Sequence, residues 1–245
     1  MDHIKRDVSR MVEEYSINKE DNPFSKIIPA LIKKGLENVN LSMFSDDKKR
    51  ELLNAAGEEY QKRNQVLDAI RLFKVTDNKE KLIAIGDEHA KMGLFSIAIE
   101  SYKLAGNKEK LAKTGDKCLE EGHIAEAIAA FKIVGDQDKL NKVGDYCSEK
   151  GKIEFAIEVY SALDNKTKLY SLGNKCLDTK QYILAARSFE LAGDKDKLNF
   201  VGEEFMKIGL LANALRVFEA ADNQMMVQFI KENFGDKDLA SRVYV

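Results

Sequence analysis

The sequence predicts an all-α solenoid of stacked helical hairpins, and three observations carry that expectation. Six consecutive blocks of 29 residues, from Leu52 to Met225, repeat one pattern without insertion or deletion. Self-similarity at a fixed period is the mark of a stacked array. Each block divides into two stretches with apolar residues at helical spacing. Only two prolines occur in 245 residues, which suits a chain that is helical nearly throughout.

The first half of each block carries a leucine four residues before a glycine: Leu53, Leu82, Leu111, Leu140, Leu169 and Leu198 precede Gly57, Gly86, Gly115, Gly144, Gly173 and Gly202. In the block beginning at Lys81, Leu82, Ile85, Gly86 and His89 fall at i, i+3, i+4 and i+7, one face of a helix. Asn78, Asn107, Asp136, Asn165, Asp194 and Asn223 form one column ahead of these helices, and all are good N-caps. Glu80, Glu109, Asp138 and Asp196 follow in the first turn, where negative charge complements the helix dipole.

A turn closes the first helix. Gly93, Gly122, Gly151 and Gly209 share a column there and suit the left-handed residue that ends a helix. Asn64 tolerates that conformation, whereas Lys180 departs from it, so a differently built turn is expected near Gln181. The second helix follows, with Phe95, Ala98, Ile99 and Tyr102 as its buried face in the same block. Its fixed points are an alanine (Ala69, Ala98, Ala127, Ala156, Ala185, Ala214) and, four residues later, an aromatic (Phe73, Tyr102, Phe131, Tyr160, Phe189, Phe218). Glycine inside a helix costs up to about 1 kcal/mol relative to alanine. Its recurrence predicts that another backbone passes close by, with the alanine as counterpart and the aromatic filling the gap before the next block.

These residues resemble the tetratricopeptide repeat: glycine, alanine twelve later, an aromatic four after that and a small residue three further on. Ala105, Ala192 and Ala221 satisfy the last position, while Thr76, Val134 and Leu163 depart from it. The period is five residues short of the family's 34, and the deficit falls after the second helix. Short units ending in A-G-D-K-D or A-G-N-K-E look like solenoid segments of vesicle-coat and intraflagellar-transport subunits. The resemblance covers 174 of 245 residues. It implies a right-handed α-α superhelix that presents surfaces to other proteins.

The array divides the chain into an N-terminal capping helix over 1–22, a degenerate repeat over 23–51, six hairpins over 52–225 and C-terminal capping helices over 226–245. In the degenerate repeat, Gly35 takes the inter-helix turn and Phe44 the aromatic column. Ile4, Val8, Met11, Val12 and Tyr15 stripe the capping helix. Val227, Ile230 and Phe234 continue the first-helix face, and a short helix from about Asp236 to Tyr244 closes the stack, since terminal repeats must cover exposed core.

Composition narrows the function. A net charge of -2 gives no general attraction to nucleic acid. No signal-like leader and no stretch of membrane-spanning length occur, so membrane insertion is not expected and a cytoplasmic protein is. Cys118, Cys147 and Cys176 stand one period apart. Equivalent helices should lie about 10 Å apart, too far for a disulfide, so they are expected as buried thiols. The phosphate-binding, metalloprotease and nucleophile-elbow motifs are absent, and the three histidines (His3, His89, His123) lie in separate units. Neither an enzyme nor a cofactor or metal is expected.

Positions common to every block are accounted for by architecture, so partner recognition is expected in the columns that vary. By analogy with tetratricopeptide arrays, first-helix residues one, four and five after the glycine, and three before it, line a concave groove. Asp116, Glu120, Asp145, Glu149 and Asp178 would form a central acidic strip, flanked by Asp87, Asn141, Tyr170, Asn174, Asn199 and Glu203. The expected function is a protein-interaction scaffold whose groove takes a basic or hydrogen-bonding segment of another protein. The alternatives are a structural subunit that assembles through its convex face or ends and, more distantly, an RNA-binding array.

Overall fold

The structure is a computed structural model describing residues 24, 27–35, 41, 42 and 44–234. The helices expected over 1–22 and from about Asp236 lie outside them. The described residues form helices joined by short turns, without a strand. In chain order the helices are α1 (Ile28–Lys34), α2 (Asp46–Lys62), α3 (Val66–Val75), α4 (Lys79–Lys91), α5 (Phe95–Ala105), α6 (Lys108–Glu120) and α7 (Ile124–Val134). They continue with α8 (Gln137–Glu149), α9 (Ile153–Ala162), α10 (Lys166–Asp178), α11 (Tyr182–Ala192), α12 (Lys195–Lys207), α13 (Leu211–Ala220) and α14 (Gln224–Asn233). The fold class is the expected one. The chain forms two compact units, residues 1–114 and 115–245, and the boundary falls within α6.

In the first unit α2 packs on α3 and α4 on α5, while α3 also meets α4. In the second, α8–α9, α10–α11 and α12–α13 are hairpins, each joined to the next through the helix that follows it. The second helices of successive hairpins, such as α9 and α11, also touch.

Two left-handed residues per block make this packing possible. The first lies between the helices and the second after them, at Asp77, Gly106, Gly135, Asp164, Gly193 and Asp222. Both connections end in the same bond: Leu94 N–H donates to the His89 carbonyl at 2.9 Å, and Asn107 N–H to Tyr102 at 2.9 Å. These six-to-one bonds satisfy carbonyls that a helix end would otherwise orphan. Lys180 overturns the expectation of a different turn. Its φ is +57°, and Gln181 N–H donates to Cys176 at 2.8 Å, so the turn is kept and the lysine bears the strain. The next residue starts the following helix: Asn78, Asn107, Asp136, Asn165, Asp194 and Asn223 each accept from the backbone N–H three residues on.

The helical glycines meet a side chain, not a backbone. A Cβ on Gly115 would stand 2.6 Å from Cε1 of Phe131, and one on Gly86 would stand 2.5 Å from Cε1 of Tyr102. The ring of the same hairpin supplies the nearest atom at each of these glycines, and the recurring alanine is fully buried. Each glycine thus gives up helix propensity so that a large ring can be buried, which contributes about 1.5–3 kcal/mol. Between hairpins the core continues: Ala69, Ile70 and Phe73 cluster with Leu82, Ile85 and Ala105.

The degenerate repeat differs from its expected form. Gly35 does end α1 at φ +86°, but residues 41, 42 and 44 are not helical. Phe44 packs edge-on against Phe24 at 6.3 Å instead. Ser45 caps α2, so this first helix starts earlier than the repeat frame places it.

Candidate functional site

On the first helices the column that follows the glycines has a partner column one hairpin later. Immediately after the glycines stand Glu58, Asp87, Asp116, Asp145, Asn174 and Glu203. Five residues before the next glycine stand Lys81, Lys110, Lys139, Lys168, Lys197 and, at the end, Met226. These two columns pair. Lys81 reaches Glu58 at 2.7 Å and Lys110 reaches Asp87 at 2.6 Å in the first unit. In the second unit Lys139 lies 2.7 Å from both carboxylate oxygens of Asp116, and Lys168 pairs with Asp145. Each rung ties one hairpin to the next.

Tyrosine strengthens two of the rungs. The Tyr102 hydroxyl donates to Asp87 at 2.7 Å and the Tyr160 hydroxyl to Asp145 at 2.6 Å. Partial burial pushes the Asp87 carboxyl up, but the Lys110 ammonium and Tyr102 hydroxyl outweigh it and hold it below its ordinary value. Asp145 is also held low, by Lys168 and then Tyr160. Both tyrosine hydroxyls are pushed up, by burial first and the neighbouring carboxylate second. In the Asp116 rung the ring is Phe131, and the Lys139 ammonium lies 5.2 Å from its centroid.

The expected acidic strip is therefore partly consumed within the molecule. Asp87, Asp116 and Asp145 are engaged by lysine, whereas Glu120, Glu149, Asp178 and Glu203 are exposed. Asn199 accepts from the cap Asn223 at 2.7 Å. Asn141 and Asn174 donate to carbonyls of their own helices, at Gln137 and Tyr170. Tyr170 is 40% exposed, with its edge against Phe189 at 5.9 Å.

Three clefts recur at equivalent places between successive first helices of the second unit. The cleft of α6 and α8, about 280 Å³, is walled by Leu119, Lys142, Val143 and Tyr146. That of α8 and α10, about 290 Å³, includes Asp145, Ser148, Glu149, Ser171 and Lys175. That of α10 and α12, about 350 Å³, includes Asn174, Leu177, Asp178, Lys197, Phe200 and Glu204. Asp145 and Glu149 thus share one cleft, and Asn174 and Asp178 another. Tyr146, Phe200 and Phe229 are 46%, 45% and 45% exposed on the first helices, and the first two line these clefts.

The sequence reading missed the lysine column and these rings. The lysines recur at the same period as the cysteines, so the signal was present. The rings carry none, because Phe200 and Phe229 occupy a column filled elsewhere by alanine, lysine and serine.

Chemically reactive groups are few on this surface. Cys118, Cys147 and Cys176 are free and buried, and burial pushes the Cys118 thiol up to about 12 and the Cys176 thiol up to about 11. Thiols held so far above neutrality are poor nucleophiles. Among the described residues no cluster of three potential metal ligands occurs, and no helix is long and apolar enough to cross a membrane. No protein-family model, curated protein or solved structure matches this chain. The chain is an all-helical hairpin repeat by its own periodicity and packing.

Proposed function

We propose that the chain is a protein-interaction scaffold and that its residues 115–234 hold an extended segment of a partner along the first helices. The repetition of one cleft per hairpin carries this reading. Packed helices stand about 10 Å apart, and an extended chain advances about 3.3 Å per residue. A partner segment would thus present every third side chain to successive clefts. Cations on such a segment would meet Glu120, Glu149, Asp178 and Glu203 in preference to Asp116 and Asp145, whose charge is already balanced by lysine. The glycine, alanine and aromatic spacing supports a tetratricopeptide-like module of the short-linked kind, and three buried free thiols suit a reducing, cytosolic setting.

The test is site-specific photo-crosslinking of the full chain in cells. A photoreactive residue replacing Tyr146 or Phe200 is expected to capture a partner, and mass spectrometry locates the joined segment. The same group replacing Arg187, exposed on α11, is expected to give no product with that segment. Crosslinks confined to position 187 would overturn the reading in favour of an assembly subunit that uses its second helices.

A further inference from the structure

We propose that Lys197 and the rings beside it form a receptor for an acidic side chain next to an apolar one on the partner segment. The inference rests on the scaffold reading above and names the chemistry of one cleft. Four rungs place a carboxylate on the lysine that follows it. In the fifth the carboxylate column holds Asn174, and Lys197 makes no ion pair among the described residues. The Asn174 amide donates instead to the Tyr170 carbonyl at 3.2 Å. The lysine keeps its place: its ammonium lies 5.7 Å from the Tyr170 centroid and 6.0 Å from that of Phe189.

The Asp116 rung shows what this arrangement lacks. There the recurring geometry of lysine over a ring, Lys139 on Phe131, holds a carboxylate by both oxygens. The fifth rung has the same lysine and the same ring type but no anion paired with it among the described residues. Aromatic faces solvate the cation in part and leave its charge unneutralised. An incoming aspartate or glutamate would complete the rung with a charge-assisted bond. Phe200, exposed in the same cleft, and Leu177 provide an apolar seat beside it. The cleft also holds Lys180, Asp178 and Glu204, the last already engaged by Lys207 and the Tyr182 hydroxyl. At its Lys197 end it offers a cation adjoining an aromatic rim, complementary to an acidic residue next to an aromatic or aliphatic one.

The substitution Asn174→Asp tests this at the cost of one exposed hydrogen bond to the Tyr170 carbonyl, because it supplies the missing carboxylate from within. A random twelve-residue peptide library displayed on phage is selected on the full chain, and enriched peptides are made with a fluorescent label for anisotropy titration. We expect enrichment of Asp or Glu beside an aromatic or aliphatic residue. We expect about tenfold weaker binding to Asn174→Asp, the scale of one lost charge-assisted bond, with thermal stability maintained or raised. Lys197→Glu should redirect the selection toward Lys or Arg. Enriched peptides without an acidic residue, or unchanged affinity for Asn174→Asp, would overturn the inference. If those peptides instead lose affinity for Tyr146→Ala, the scaffold reading stands and only the Lys197 receptor falls. A library yielding no binder, together with no crosslink at positions 146 or 200, would remove both.

Discussion

Gly115 and Phe131 show how much a single residue decides. The ring occupies the space a Cβ would need, so Gly115→Ala gains helix propensity and loses packing. Overpacking of this kind costs about 1–3 kcal/mol, and urea denaturation should show net destabilisation. Combining it with Phe131→Leu should cost less than the sum of the two single changes, the coupling expected of touching residues. Lys180 behaves oppositely. It holds φ +57° where four of its column mates are glycine, so Lys180→Gly should stabilise by about 0.5–1 kcal/mol. The sequence makes the glycine column plain but not its cause. A periodic small residue says that something comes close, and whether that is a backbone or a ring depends on tilt between helices, which no column encodes. Lys180 misled for a related reason: local propensity argued for a new turn, and the six-to-one bond of its neighbours prevailed.

Among the elements, the caps were the most legible, since the requirement is local and each of the six side chains accepts from the backbone three residues ahead. Asp136→Ala should cost about 1 kcal/mol, measurable as a lowered denaturation midpoint. The rungs were less legible, because they join residues 23 positions apart through the packing of consecutive hairpins. Their signature is acid sensitivity. Asp87 and Asp145 titrate below their ordinary value when folded, so the folded state binds fewer protons than the unfolded chain as pH falls. The stabilisation is therefore complete above the unfolded carboxylate pKa, about 3.9, and is lost as pH drops through the lower folded values. Denaturation midpoints measured from pH about 5 down to about 2 should fall less steeply in the double variant Asp87→Asn, Asp145→Asn. Added salt should shrink the difference, since these pairs are partly exposed.

At the scale of the whole molecule, contacts run chiefly between neighbours in sequence, and stability should be close to a sum of hairpin and interface contributions. Removing residues 137–165, one full period, joins Asp136 to Lys166 and keeps every local relation: the cap still precedes its helix, and Lys168 replaces Lys139 opposite Asp116. The shortened chain should remain helical by circular dichroism and unfold with a smaller urea m-value, in keeping with the surface removed. Loss of helical signal would contradict a modular array. This modularity is what the sequence states most openly. The proposed partner surface is its least legible part, because the residues assigned to it depart from the pattern: Asn174 for an acid, Phe200 for an alanine or lysine.

The pairing of acid and lysine columns has a further consequence. The hairpins carrying Lys81, Lys110 and Lys139 each behave as a monomer with a cationic tail for the one before and an anionic head (Asp87, Asp116 and Asp145) for the one after. Heads and tails of this kind contain no instruction to stop, and a matching surface on another copy could extend the series as a fibre does. The series is terminated by end groups. Leu52, 1% exposed, stands where the first tail would carry its lysine, and Met226 stands in the lysine column after the last head, Glu203. Those two apolar residues stand as end groups do on a polymer, and Met226→Lys is expected to add an ion pair to Glu203.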